Sequence, residues 1–205
     1  MTILYLVTER YDYPVDKFLN IIEEACRTGI DYVQLREKDS DTGAFYQLAL
    51  KAKAITTKYA VPLIINDRLD IALAIDAEGL HLGQSDLPLQ KAQELFGADK
   101  IYGVSAKTIQ QAKDAETNGA TYLGSGAIFP TQTKASTPIG IDGLTAITQA
   151  VSIPVLAIGG LNSSNILRLK GTGLAGIAVV SEIMQAENIT EKVQRLRNQL
   201  EEMEQ

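Results

Sequence analysis

Short apolar runs recur along the chain at a nearly even interval: Ile3–Val7, Tyr32–Leu35, Leu63–Ile65, Gly79–Leu82, Ile101–Val104, Tyr122–Gly126, Pro154–Ile158 and Gly176–Val180. Their length and the turn residues around them suit buried strands. The segments between them carry a helical period, as in Phe45, Leu48, Ala49, Ala52 and Ile55, or Val193, Leu196, Leu200 and Met203. Eight strand–helix units in series call for parallel strands, and a spacing of about 25 residues predicts a compact (β/α)8 TIM barrel. No linker or low-complexity stretch divides residues 1–205, so they are read as a single barrel domain. An open doubly wound sheet is the alternative fold.

Polar signals cluster after the strands, whereas the segments before them are plain, for example Ala60-Val61-Pro62 and Val151-Ser152-Ile153. In a barrel this asymmetry marks the C-terminal face as the active one. The stretch Tyr122 to Lys134 runs from a strand through two glycines into Pro130, Thr131, Thr133 and Lys134, which suits an anion-binding loop. Tyr122, Gly124 and Gly126 share one strand face, leaving room for a flat ligand near its end.

Gln34, Arg36 and Lys38 share the inward face of strand two if Val33 and Leu35 face the helices. An amide followed by two cations in a barrel mouth points to an anion; the alternative is internal pairing with Glu37 or Asp39. Asn66-Asp67 follows strand three and Gln84-Ser85-Asp86 follows strand four. Carboxylates on adjacent strand ends can share one cation, and magnesium suits one or two carboxylates completed by water and substrate phosphate. Capping of the next helix is the alternative for Asp67. His81, the one histidine, is either a hydrogen-bonded structural imidazole or a ligand contact. Ser105 is placed either to meet a heterocycle or, like Thr108, to cap the fifth helix. Gly159-Gly160, then Asn162-Ser163 opening a helix, and Val180-Ser181 opening another, occupy loops seven and eight, the usual phosphate site of such barrels.

Composition narrows the classes. A net charge of −6, with 19 basic and 25 acidic residues and no Lys/Arg run, argues against nucleic acid or an anionic membrane as partner. Ile3–Val7 is too short for a signal core or a membrane span, so a cytoplasmic location is expected. Cys26, the one cysteine, sits among Ile21, Ile22 and Ala25 at helical spacing and reads as core.

Together, Gln34-Leu35-Arg36-Glu37-Lys38, Asn66-Asp67-Arg68, His81 to Asp86, Phe129 to Lys134 and Ala157-Ile158-Gly159-Gly160 resemble the successive motifs of the thiamine phosphate synthase family. They run in the family's order from the second strand to the last. The resemblance implies a transferase of thiamine biosynthesis that couples a pyrimidine methyl pyrophosphate with a thiazole phosphate, giving thiamine phosphate and pyrophosphate. It implies that Arg36, Lys38, Asn66 and Lys134 hold the pyrophosphate and that Asp67 and Asp86 hold Mg2+. It places Gln34 and Ser105 against the pyrimidine, and Thr131, Thr133, Gly160, Val180 and Ser181 against the thiazole phosphate. Catalysis would then rest on Arg36, Lys38, Lys134 and Ser105. A lid from Thr131 to Ile141 would protect a cationic intermediate; a homo-oligomer is compatible with the sequence. Relatives often carry a histidine at the position of Lys107, a departure that puts no named role in doubt.

Two other functions compete. The sister thiazole tautomerases lack the paired aspartates and carry a histidine where this chain has Ala127, which cannot move a proton. A phosphate-ligand sensor would need only loops seven and eight, leaving Arg36, Lys38, Asp67 and Asp86 without a purpose.

Overall fold

A computed structural model of the chain describes residues 2–131 and 137–204. The apolar runs form β1 (Ile3–Val7), β2 (Tyr32–Leu35), β3 (Leu63–Asn66), β4 (Gly79–Leu82), β5 (Ile101–Ser105), β6 (Tyr122–Gly126), β7 (Val155–Ile158) and β8 (Gly176–Val179). Consecutive strands pair in parallel, and β8 returns to β1 with Leu4 beside Ile177 and Leu6 beside Val179. The sheet is thus a closed barrel, not an open doubly wound one. Asn66 and Ser105 extend their expected strands by one residue, while Pro154 and Val180 lie outside theirs.

The outer ring comprises α1 (Val15–Thr28), α2 (Thr42–Lys58), α3 (Leu69–Ala74), α4 (Leu89–Phe96), α5 (Ile109–Thr117), α6 (Gly140–Ala150), α7 (Ser181–Met184) and α8 (Ile189–Glu204). The seventh unit departs from expectation. Asn162-Ser163 opens no α-helix; a single 3-10 turn, Ile166–Leu169, fills the place. Asn162 and Asn165 engage the backbone instead, with Asn165 Oδ1 accepting from Asn162 N at 2.9 Å and Asn162 Oδ1 from Ser164 N at 2.9 Å. Such side-chain bonds compete with helical ones.

Strand alternation sorts the core into two layers. Leu4, Leu6, Val33, Leu35, Leu63 and Ile65 point outward and meet helix residues such as Phe18, Ile22, Phe45 and Leu48, all buried. Burying each such side chain is worth about 1.5–3 kcal/mol. Tyr5, Val7, Ile64, Tyr122, Leu156 and Ala178 fill the inside of the barrel. Gly103 is required there: a Cβ on it would lie 2.2 Å from the Tyr122 ring and 2.4 Å from His81 Nδ1. Cys26 is core, as expected, and burial pushes its thiol up to about 12, leaving it protonated and inert.

Helix α8 closes the ring. Arg197 donates to the carbonyls of Gly29 at 2.7 Å and Thr2 at 3.1 Å and to Asp31 Oδ2 at 2.5 Å, tying the last helix to the first two strands' approaches. Among the described residues no helix is long and apolar enough to cross a membrane.

Candidate active site

The C-terminal strand ends open on a cavity of about 1100 Å³. Its wall includes Gln34, Arg36 and Lys38 after β2, Asn66 and Asp67 after β3, Asp86 after β4, and Ser105 at the end of β5. It continues through Thr131, Gly160, Val180 and Ser181. Thr133 and Lys134 lie outside the described residues, as does much of the expected lid. The far end of the expected lid segment is helical instead: Gly140 and Ile141 belong to α6, and Ile139 N donates to Ala127 O at 2.8 Å.

Asp67 has a left-handed backbone, φ 61°, a conformation aspartate tolerates better than most residues. Its amide donates to His81 O at 2.9 Å, which pins the β3 end to β4. It does not cap α3; Arg68 occupies that position and makes no side-chain cap bond. Burial first, and then the neighbouring Asp86 through a shared hydrogen bond and like charge, raise the Asp67 carboxyl above the usual carboxylate range, against the pull of Lys38 and Asn66. Asp86 is itself held by Gly83 N at 2.6 Å. Lys38 Nζ stands 3.8 Å from Asp67 Oδ2. Two close, half-buried carboxylates, of which Asp67 is raised in part by Asp86, form a hard oxygen pair whose repulsion a divalent cation relieves, so the donor set fits magnesium. No group of three or more His, Cys, Asp or Glu suited to a metal exists among the described residues, so further ligands would come from substrate and water.

Arg36 and Lys38 do not pair with Glu37 or Asp39, the alternative considered above. Glu37 Oε2 accepts from Ser40 Oγ at 2.6 Å and lies 3.7 Å from Arg10. The partner of Arg36 is Glu9, and its backbone N–H donates to Thr8 Oγ1 at 3.1 Å. Glu9 and Thr8 went unassigned in the sequence, where the polar step after β1 was the only available signal.

From β6 to loop eight the cavity lining includes four glycines, Gly124, Gly126, Gly159 and Gly160. Gly159 and Gly160 have φ of 94° and 69°, and a Cβ on Gly160 would lie 2.6 Å from Pro130 O. Ile128 N reaches Ile158 O at 3.0 Å and Phe129 N reaches Gly159 O at 3.1 Å, which locks loop six onto loop seven. Ser105 does not cap α5; Thr108 does, accepting from Gln111 N at 3.2 Å. Ser105 Oγ instead lies 2.9 Å from His81 Nε2, while His81 Nδ1 lies 3.0 Å from the Tyr122 hydroxyl. His81 is thus a hydrogen-bonded imidazole that also lines the cavity.

A family model described as thiamine monophosphate synthase matches residues 4–183. The chain is 54% identical over 200 residues to the thiamine-phosphate synthase of Enterococcus faecalis, covering 98% of this chain and 95% of that one. It is 55% identical over 198 residues to thiamine-phosphate synthase 2 of Streptococcus pneumoniae, covering 96% and 94%. The chain belongs to the thiamine phosphate synthase family. A solved structure of thiamine phosphate pyrophosphorylase from Pyrococcus furiosus superposes with a TM-score of 0.89 at 37% identity, covering 98% of this chain and 96% of that one. Membership accounts for the shared order of the five motifs. Ala127, buried at the cavity wall, supplies no proton carrier where the tautomerases have one. Lys107, the departure noted above, also lines the cavity of this synthase-family barrel.

Proposed function

We propose that this mouth couples 4-amino-2-methyl-5-hydroxymethylpyrimidine pyrophosphate with hydroxyethylthiazole phosphate, releasing thiamine phosphate and pyrophosphate. The observation that carries the reading is the meeting of Lys38, Asn66, Asp67 and Asp86, from three consecutive strand ends, in one cavity with Gly159-Gly160 and Ser181. One region suits a metal-bound pyrophosphate, the other a phosphate approached by backbone.

In this reading the pyrimidine methyl carbon–oxygen bond breaks first, its electron pair leaving with pyrophosphate. Arg36, Lys38, Asn66 and Lys134 hold the oxygens on which charge grows, so their attraction strengthens as the bond breaks. Asp67 and Asp86 would hold magnesium, which when bound supplies further neutralisation of the leaving group, worth several kcal/mol. Gln34 and Ser105 hold the heterocycle, whose ring stabilises the cation. Thr131, Thr133, Gly160, Val180 and Ser181 hold the thiazole phosphate so that its ring nitrogen faces the carbon. That nitrogen's lone pair forms the new C–N bond and has no proton to lose, so no general base is required. The loop after Thr131 excludes water from the cation.

Mixing the protein with both substrates, with and without magnesium, tests this directly. Thiamine phosphate should appear by mass only in the magnesium sample; its absence from both would reject the reading.

A further inference from the structure

Below the cavity mouth the interior of the barrel holds a continuous series of polar atoms. Gln34 Nε2 lies 3.1 Å from the Tyr5 hydroxyl, which lies 2.9 Å from the Tyr122 hydroxyl. Tyr122 reaches His81 Nδ1 at 3.0 Å, and His81 Nε2 reaches Ser105 Oγ at 2.9 Å. The chain starts on β2, passes through β1, β6 and β4, and ends on β5. All five residues line the cavity, with Gln34 and Ser105 at the two ends of the series. Tyr5 and Tyr122 are buried, and Gly103 provides the space in which the Tyr122–His81 contact forms.

With a neutral His81 and every link made, such a series has two self-consistent proton orders. An amide nitrogen can only donate. With Gln34 Nε2 facing Tyr5, the Tyr5 hydroxyl accepts there and donates to Tyr122, which donates to Nδ1 of a neutral His81. Nε2–H then donates to Ser105, whose own proton is left for the cavity. At the other end Gln34 Oε1 is left as an acceptor. Burial above all holds both tyrosines well above the usual phenol range, so they remain protonated links.

We propose that Tyr5, Tyr122 and His81 are positioning residues whose one-way hydrogen-bond chain presents Ser105 as donor and Gln34 as acceptor, selecting a heterocycle with an amino group beside an unprotonated ring nitrogen over its oxo counterpart. The inference rests on the pyrimidine site proposed above. The 4-aminopyrimidine edge offers this pattern, a donor N–H next to an acceptor nitrogen. The 4-oxo edge offers the reverse, an acceptor oxygen next to a ring N–H. Accepting it would require every link to turn round, including the histidine tautomer and the glutamine amide.

Two measurements test the proposal. The chain has one histidine, so 15N NMR of histidine-labelled protein without ligand should show one neutral ring protonated at Nε2. A ring protonated at Nδ1, or at both nitrogens, overturns the inference whatever the enzyme's activity. Calorimetry then compares the pyrimidine methyl pyrophosphate with its 4-oxo counterpart. The unaltered protein should favour the amino form by about ten- to hundredfold, and Tyr122→Phe, which breaks the chain mid-way and keeps the ring, should cut that preference about tenfold. In steady state Tyr122→Phe should raise KM for the pyrimidine and spare KM for the thiazole. A folded Tyr122→Phe protein with undiminished discrimination overturns the proposal. If neither heterocycle binds the unaltered protein, the pyrimidine-site reading fails, while the NMR result still decides the order of the chain.

Discussion

The two sides of the mouth are built from different materials. From β2 to β4 the wall is side chains: Arg36, Lys38, Asp67 and Asp86 carry charge, and each is held by a neighbour. From β6 to α7 the described lining has no lysine or arginine, and glycines bring the backbone to the surface. Pyrophosphate, with its larger and changing charge, suits the first wall. A spectator phosphate, whose charge is the same before and after reaction, suits the second. The first wall is therefore sensitive to what a side chain carries, the second to whether a side chain is present at all.

The largest expected effect falls on the charged wall. Asp67→Asn or Asp86→Asn should lower kcat roughly a thousandfold with the fold intact by circular dichroism. The same change should relieve the fold. Because the Asp67 carboxyl is raised, the native state holds its proton more tightly than the unfolded chain; ionisation costs nothing below the unfolded value of about 3.9 and becomes a full penalty above the raised native value. In metal-free buffer the Tm of Asp67→Asn relative to the unaltered protein should rise as pH climbs through that window, and magnesium should erase the difference. A constant Tm difference across pH would refute the account.

Next comes the backbone wall. Gly160→Ala adds a Cβ 2.6 Å from Pro130 O at a φ of 69°, so the loop must shift. Thiazole KM should rise about a hundredfold, since strain of this kind costs about 1–3 kcal/mol and also displaces the phosphate site. Pyrimidine KM, measured in the same assay, should change little.

Smaller still, Ser181→Ala removes one hydrogen bond to a charged group, worth about 1.5–3 kcal/mol, and should raise thiazole KM about tenfold or somewhat more. Arg36→Ala is its counterpart and should weaken the pyrimidine substrate while sparing the thiazole. Equal impairment toward both substrates in either variant would erase the distinction between the walls. The smallest effect belongs to Glu9→Gln, which frees Arg36 from its ion pair; a change of about threefold in pyrimidine KM, fading in high salt, is expected for a part-buried pair that solvent still reaches.

Much of this was legible in the chain itself. Strands of four or five residues bounded by turn signals were located within one residue, because burial on both faces leaves an unbroken apolar run. The candidate residues on β2 to β5 were visible because charge at the end of such a run has few structural reasons to be there. What stayed hidden depends on the closed ring. Glu9 and Arg36 are 27 positions apart and meet because β1 and β2 are neighbours. Tyr5 and Tyr122 are 117 apart and meet only inside the barrel. The seventh helix was misread because Asn162 and Asn165 fold back on the backbone, a choice hydrophobic periodicity does not register.

The Arg197 clamp has a consequence for how the chain reaches this state. Its contacts with Gly29 and Thr2 span 168 and 195 positions, and β1 finds its second neighbour only in β8. On the ribosome, β1 therefore keeps one open edge until β8 has been made. Late closure across so long a separation is slow, and an uncovered strand edge invites pairing with other nascent chains. The arrival of β8 thus sets the moment at which the newborn protein stops being a hazard to its neighbours, and Arg197 then clamps the closed ring.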